Sequence, residues 1–158
     1  MKTLQETLTV RIFRYEELTD TDRRLVDMAR EATLRSYAPY SHFSVGAAAL
    51  LANGVMVSGT NQENAAYPSG LCAERTTLFH AHSQYPDVAV IALAIAARTE
   101  QGLLESPLPP CGACRQVMLE TEQRYGQPLR VLMSGAHETH EVTGMRNLLP
   151  LAFGSKFL

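Results

Sequence analysis

The segment Val88-Ala89-Val90-Ile91-Ala92-Leu93-Ala94-Ile95-Ala96-Ala97 is apolar without interruption. A run of this length and composition is typical of a strand that is buried on both of its faces. A strand can be covered on both faces only if the sheet lies between two other layers. We therefore expect residues 88–97 to form a central strand and the rest of the chain to supply those layers.

Strand and helix signals alternate on both sides of this segment. Further strands are predicted at residues 8–12, 45–52, 55–59 and 129–133. Asn53-Gly54 separates the second and third of these, and this dipeptide favours a two-residue hairpin turn. Helices are predicted at residues 21–36, from Cys72 to near His82, and after the stiff proline-rich loop at residues 106–110. The alternation predicts a layered α/β fold.

Composition and charge narrow the classes of protein to which this chain can belong. The chain has 158 residues, 46% of them hydrophobic, and is expected to bury a core within a single domain. The net charge is -2 and the 14 basic residues are scattered, which argues against nucleic acid as a partner and favours a small substrate. Neither a secretory signal nor a membrane-spanning apolar run is evident, so we expect a cytoplasmic protein with no membrane partner.

All three cysteines lie in two short motifs, Cys72-Ala73-Glu74 and Cys111-Gly112-Ala113-Cys114. Three thiols cannot pair completely, and in a reducing compartment metal ligation accounts for all of them. Three thiolates can supply the protein ligands of a catalytic zinc and leave a fourth position open for water. Glu74 is a carboxylate placed to move protons beside that position.

The spacing of these residues predicts how the site is built. Cys111 and Cys114 are three apart and would share one face of a first helical turn. Cys72 and Glu74 are two apart, so Cys72 is expected at a helix edge. Two helix amino termini would then offset the net charge of about -1 that three thiolates leave on Zn²⁺. Arg75 can add to this by donating hydrogen bonds to a ligand sulfur.

The histidines are not expected to complete a closed structural site. His80 and His82 lie too late in the predicted helix to share an ion with Cys72, and His42 is placed in a loop. His137 and His140 are also placed in loops. They do not have the spacing of the H-E-x-x-H zinc protease motif.

The chain resembles the cytidine deaminases of the small homotetrameric type, within the zinc-dependent cytidine and deoxycytidylate deaminase superfamily. The likeness runs from about residue 37 to residue 154. Its ordered motifs are Tyr37-Ala38-Pro39-Tyr40-Ser41-His42-Phe43, Val45-Gly46-Ala47-Ala48, Asn61-Gln62-Glu63-Asn64-Ala65-Ala66-Tyr67, Cys72-Ala73-Glu74-Arg75 and Pro110-Cys111-Gly112-Ala113-Cys114-Arg115-Gln116. Two departures are Ser44, where proline is usual, and a less typical amino-terminal extension at residues 1–19.

The resemblance implies a three-layer α/β/α fold with a mixed central sheet of about five strands in one domain over residues 1–158. It also implies one Zn²⁺ per subunit and a homotetramer with composite active sites. The implied reaction is hydrolytic deamination of cytidine and deoxycytidine in pyrimidine salvage, with release of ammonia. In this implied mechanism zinc would activate a water, and Glu74 would take its protons and pass them to the ring nitrogen and the leaving ammonia.

The resemblance also assigns residues to the substrate. Asn61 and Glu63 are expected to bind the ribose hydroxyls, the Ala73 backbone the base edge, and Phe43 to stack on the pyrimidine. Phe153 is expected to cover the nucleoside in a neighbouring subunit's site, and Tyr67 to contact a neighbouring subunit.

Two alternatives remain open at this point. One is a zinc deaminase that acts on another aminated nucleoside such as blasticidin S, because the core motifs are shared. The pair Asn61 and Glu63 favours a ribosyl substrate over this alternative. The other is a noncatalytic zinc-binding protein, which Glu74 and the missing fourth ligand both oppose.

Overall fold

The computed structural model describes residues 1–158, apart from the side chain of Lys156. The strands are β1 (Arg11–Arg14), β2 (Ser44–Leu51), β3 (Met56–Thr60), β4 (Val90–Thr99), β5 (Gly102–Leu103), β6 (Arg130–Ser134) and β7 (Glu138–Thr143). The α-helices are α1 (Asp20–Ala32), α2 (Ala73–Gln84) and α3 (Gly112–Tyr125). In this part of the chain no helix is both long enough and apolar enough to cross a membrane.

The strands form one mixed sheet in the order β1-β7-β6-β4-β2-β3, with β5 paired to the end of β4. Strands β4 and β6 are parallel, and α3 lies in the crossover between them. Helix α1 packs on one face, and α2 and α3 pack on the other. The three-layer α/β/α fold with a mixed sheet is confirmed. The expected count of about five strands is wrong, because the described residues form seven.

Strand β4 occupies the centre, as its apolar sequence predicted. Leu93 and Ile95 are fully buried among the residues that pack against α2 and α3. The alternate residues Ala92, Ala94 and Ala96 are buried towards α1. Alanine on this face leaves room for α1 to approach the sheet closely, while the larger residues fill the side that carries the cysteines.

Gly46 in β2 marks the closest approach of α1 to the sheet. A Cβ atom at this position would lie 2.2 Å from the Ala29 carbonyl oxygen and 2.6 Å from the Thr33 nitrogen. Both are backbone atoms, so the clash cannot be relieved by rotating a side chain. We predict that Gly46→Ala lowers the free energy of unfolding by about 3 kcal/mol, the upper part of the usual range for overpacking.

Urea unfolding monitored by circular dichroism would measure this loss. Ser58→Ala is the matched control, because Ser58 lies on the neighbouring strand β3 and is partly exposed. Its effect should stay within about 0.5 kcal/mol. If Gly46→Ala were as stable as Ser58→Ala, the close contact between α1 and β2 would be refuted.

Strand β7 was not predicted, and His140 lies in it rather than in the expected loop. The reason is that β7 buries charge. Glu141 is 3% exposed, and Arg130 donates hydrogen bonds to it at 3.1 Å and to the buried Asp22 of α1 at 2.7 Å. Because charged partners take the place of apolar side chains here, β7 lacks the apolar alternation that marks a half-buried strand.

Strand β1 is an edge strand, but its predicted bounds were wrong. It begins at Arg11 and pairs with β7, whereas residues 8–10 lie outside it. Leu8 and Val10 remain 54% and 38% exposed, so the alternation that suggested a strand buries little apolar surface. The hairpin between β2 and β3 is confirmed, with Asn53-Gly54 in its turn and Gly54 at a φ of 85°. The predicted two-residue turn is wrong, because the Leu51 nitrogen donates to the Val55 carbonyl at 2.9 Å and residues 52–54 form the loop between them.

Candidate active site

Two helix amino termini carry the three cysteines. Cys72 is the N-cap residue of α2 and Cys111 is the N-cap residue of α3, while Cys114 lies in the first turn of α3. The Sγ atoms of Cys72 and Cys111 are 3.8 Å apart, and those of Cys111 and Cys114 are 3.5 Å apart. The placement at two helix ends agrees with the prediction from residue spacing.

This thiol cluster fits a tetrahedral zinc ion. Zinc–sulfur bonds of about 2.3 Å separate two tetrahedral ligands by about 3.8 Å, close to the spacings observed. All three sulfurs lie within 4.8 Å of one another, and no other His, Cys, Asp or Glu among the described residues joins the group. Three thiolates with one coordination position left over are typical of a catalytic zinc site.

Hydrogen bonds within the cluster make the Cys72 thiol more acidic, and the Cys114 thiol less acidic, than an ordinary cysteine. The Cys114 thiol donates to Cys72 and, together with the Arg75 guanidinium and the Cys111 thiol, lowers the pKa of Cys72 to about 5 against the effect of burial. The same bond to Cys72, followed by burial, raises the pKa of Cys114. Zinc binding must therefore displace protons, and acid will weaken it.

Arg75 lies directly beside the cluster. Its Nη2 is 3.7 Å from the Cys72 Sγ, and the hydrogen bond to this sulfur is the main cause that raises the pKa of Arg75. A cation in this position offsets part of the negative charge of three thiolates. The structure thus contains a hydrogen bond between Arg75 and a sulfur of the thiol cluster, that of Cys72.

Glu74 lies in the first turn of α2, beside the thiol cluster. Its side chain is buried, with 4% of the residue exposed, and the residue lines the same cavity as Cys72 and Cys111. Burial is the main cause that raises the pKa of Glu74, and the nearby Cys72 charge adds to it. A carboxyl group with a raised pKa holds a proton more readily than an ordinary carboxylate, which suits a group that must both accept and release a proton in general acid–base catalysis.

A cavity of about 760 Å³ opens in front of Glu74, Cys72 and Cys111. Phe43, Asn61, Glu63 and Tyr67 line it, together with Arg75. The fold thus brings residues from four separate parts of the sequence to one concave surface. A volume of this size is within the range of small-molecule sites.

Glu63 is held in place by the loop that precedes β2. Its carboxylate accepts hydrogen bonds from the Ser41 hydroxyl, from the Tyr40 nitrogen at 2.9 Å and from the Ser41 nitrogen at 3.3 Å. The Ser41 hydroxyl and then the Tyr40 N–H lower the pKa of Glu63. Glu63 is therefore a preorganised carboxylate, able to accept hydrogen bonds from hydroxyl groups.

Asn61 already has a structural role at the wall of the cavity. Its Oδ1 accepts from the Val45 nitrogen at 2.8 Å, and its Nδ2 donates to the Phe43 carbonyl at 2.9 Å. These bonds fix the start of β2 and the backbone that carries Phe43. The amide has two N–H donors, and the bond to Phe43 uses one of them.

Ala73 and Phe153 occupy different surroundings. Ala73 is fully buried at the start of α2, where its backbone lies between Cys72 and Glu74. Phe153 is 59% exposed, stacks on Phe157 with 5.8 Å between ring centroids, and does not line the cavity of its own chain. Within a single chain, the structure therefore does not bring Phe153 to the predicted site.

Sequence reasoning missed the roles of Ser41 and Leu108. Ser41 orients Glu63, and Leu108 lines the cavity from the proline-rich loop. Ser41 lies in the motif that ends at Phe43, and Leu108 lies in the stiff loop before Cys111. Neither residue type carries a chemical signal of its own, so only their positions could have indicated these roles.

Residues 19–125 match the model of the family described as "Cytidine and deoxycytidylate deaminase zinc-binding region". A cytidine deaminase of Sporosarcina psychrophila is 38% identical over 135 residues, which are 85% of this chain and 93% of that protein. One from Halalkalibacterium halodurans is 48% identical over 96 residues, which are 61% of this chain and 68% of that protein.

The fold is also similar to a solved structure from the same family. The crystal structure of the cytidine deaminase from Burkholderia pseudomallei has a TM-score of 0.70 and 38% sequence identity, covering 86% of this chain and 100% of that chain. The matched family region contains the three cysteines and Glu74. With a thiol cluster that fits zinc and a buried glutamate beside it, the chain belongs to the cytidine and deoxycytidylate deaminase family of zinc enzymes.

Proposed function

We propose that this protein catalyses the hydrolytic deamination of cytidine and deoxycytidine to uridine and deoxyuridine, with release of ammonia. One observation carries the proposal: buried Glu74 lines, together with Cys72 and Cys111, a cavity whose wall also holds the preorganised carboxylate of Glu63. One carboxyl group is suited to proton transfer and the other to recognition of hydroxyl groups. This division of roles fits a nucleoside with an exocyclic amine.

The cysteines would hold the metal, and Glu74 would handle the protons. Cys72, Cys111 and Cys114 are the proposed ligands, and bound zinc supplies a Lewis acid that lowers the pKa of a water towards neutrality. Glu74 takes a proton from the water that adds to the ring carbon bearing the amine. It delivers that proton to the ring nitrogen. It then takes the second proton, from the hydroxyl now attached to the ring carbon, and delivers it to the departing nitrogen, so that a carbonyl and ammonia result.

The remaining residues of the cavity would orient the nucleoside. Glu63 accepts hydrogen bonds from the ribose hydroxyls, and Asn61 donates its second N–H to the same sugar. Phe43 stacks on the pyrimidine, and the Ala73 backbone pairs with the base edge. The two hydrogen bonds between Asn61 and the backbone at Val45 and Phe43 support this arrangement, because they fix the Phe43 backbone relative to the sugar site.

We also propose that the protein acts as a homotetramer in pyrimidine salvage in the cytoplasm. In this arrangement Phe153 of one subunit covers the nucleoside bound by its neighbour, and Tyr67 contacts a neighbouring subunit. The exposure of both residues supports the proposal, since Tyr67 is 81% and Phe153 is 59% exposed in the single chain. Sedimentation of a fully active monomer would contradict it.

A substrate panel tests the proposed function. The purified zinc-loaded protein is offered cytidine, deoxycytidine, cytosine, adenosine and blasticidin S, and ammonia release is measured for each. We expect turnover of cytidine and deoxycytidine. Preferential turnover of blasticidin S would assign the chain to a different substrate, and zinc retention without ammonia release from any of the five would refute the deaminase proposal.

The sugar-binding role predicts a specific effect of Glu63→Gln. Loss of the charged acceptor should lower kcat/KM for cytidine roughly 10- to 100-fold, mainly through KM, because a hydrogen bond to a charged group is lost. Steady-state kinetics measures the change. Glu100→Gln, at an exposed site after β4, is the control and should leave both constants unchanged. A fall in kcat with constant KM would contradict a sugar-binding role.

A further inference from the structure

Arg115 links the zinc-binding loop to the carboxyl-terminal segment. Its Nε donates to the Pro110 carbonyl at 2.8 Å, and its Nη1 donates to the Leu148 carbonyl at 2.8 Å. The main-chain nitrogen of Arg115 donates to the Cys111 carbonyl at 3.0 Å. Arg115 thus binds the carbonyls of Pro110 and Cys111, and also that of Leu148, which lies more than thirty residues further along the chain.

Cys111 needs such support more than the other two cysteines. It is exposed, whereas Cys72 is partly buried and Cys114 is buried, so packing holds Cys111 least. As the N-cap residue of α3 it makes no side-chain hydrogen bond to the helix backbone, and the same is true of Cys72 on α2. An N-cap residue lies outside the regular helical backbone, and its orientation depends on the residues just before the helix. Here Pro110 is that preceding residue, and Arg115 holds its carbonyl.

The other end of the link is anchored in the core. Leu148 is 7% exposed and belongs to the same buried cluster as Cys114 and Met118. A planar guanidinium has a rigid arrangement of donors, so two carbonyls bound by it are fixed relative to each other. The position of Cys111 is therefore tied to a buried point rather than left to the exposed loop.

We propose that Arg115 is a positioning residue for zinc, which holds Cys111 in ligating geometry by fixing the Pro110 carbonyl to the buried Leu148 carbonyl. Zinc retention then depends on a side chain that has no need to touch the metal. Residues that orient metal ligands indirectly typically change metal affinity 10- to 100-fold when replaced. We expect Arg115→Met to release zinc about 10-fold faster than the unsubstituted protein.

Transfer of zinc from the folded holoenzyme to an excess of a chromogenic chelator measures this rate. Arg124→Met is the matched control, because Arg124 also lies on α3 and donates to a proline carbonyl, that of Pro86, at 2.9 Å. It lies near the opposite end of the helix from the cysteines. Faster release in Arg115→Met alone is the expected result. Equal acceleration in both variants, or none in Arg115→Met, would overturn the proposal.

A cobalt-substituted protein provides a readout that general destabilisation would not move. Displacement of Cys111 should alter the sulfur-to-cobalt charge-transfer absorption of Arg115→Met, whereas Arg124→Met should keep the spectrum of the unsubstituted protein. If Arg115→Met does not fold, Arg115→Lys replaces it, because one ammonium group cannot reproduce the fork that reaches both carbonyls. An unchanged cobalt spectrum in a folded Arg115 variant would also overturn the proposal.

Discussion

Replacing Glu74 with glutamine is expected to lower kcat on cytidine about 10²- to 10⁴-fold, the usual contribution of general acid–base catalysis. Glutamine has nearly the same shape as glutamate, but it cannot accept a proton from water and return it to the substrate. The thiol cluster does not depend on this carboxyl group for its ligands. Zinc content should therefore stay at one ion per chain, and KM should change far less than kcat.

Assays of ammonia release would measure kcat and KM, and metal analysis of the same sample would measure the zinc content. Glu120→Gln is the control, since Glu120 is an exposed carboxylate on α3, and it should keep full activity. A variant at Glu74 that lost activity together with zinc would show that the residue acts on the metal site instead. Retained turnover in a zinc-loaded Glu74→Gln protein would contradict the proposed mechanism.

Replacing Cys114 with serine is expected to remove zinc and, with it, all measurable activity. Structural zinc sites with four ligands bind with about 10–16 kcal/mol, so one ligand accounts for roughly 3 kcal/mol and its loss for a factor of about 10² or more. Cys114 is also fully buried at the start of α3. Serine can donate a hydrogen bond there, but its hydroxyl is a poor ligand for zinc near neutral pH.

Metal analysis after dialysis against a weak chelator would measure the loss of zinc. Thr121→Ser serves as the control, because Thr121 lies two turns further along α3 and is also buried, at 1% exposure. This variant should keep its zinc. If Cys114→Ser retained zinc at the level of the control, the three-cysteine ligand set would be refuted.

The thiol cluster could be predicted from the sequence because its chemistry depends on residue type and short spacing. Cys111 and Cys114 are three apart, which brings them together at the start of one helix. Cys72 is the only other cysteine, so the choice of a third thiol was unique. The central strand was also predictable, because residues 88–97 carry an apolar run typical of a strand covered on both faces, although β4 itself spans Val90–Thr99.

Long-range polar contacts could not be predicted in the same way. Buried Glu141 is paired with Arg11 and Arg130, and Arg130 is also paired with Asp22 of a helix far away in the sequence. The orientation of Glu63 depends on Ser41, which is 22 residues away. Hydrogen bonds of this kind leave no periodic pattern in the sequence, because each partner alone is an ordinary polar residue. For the same reason, the sequence does not indicate that Arg115 binds the carbonyls of Pro110 and Leu148.

All three cysteines of the chain lie in one cluster, so the protein becomes sensitive to oxidation when zinc is lost. The chain has three cysteines, and without metal the pKa of Cys72 is about 5, so this thiolate is reactive at neutral pH. Its sulfur lies 3.8 Å from that of Cys111, so an oxidised Cys72 has a second thiol close by with which to form a disulfide. Zinc thus protects the cysteines chemically, and oxidative damage would accumulate in the metal-free fraction of the protein.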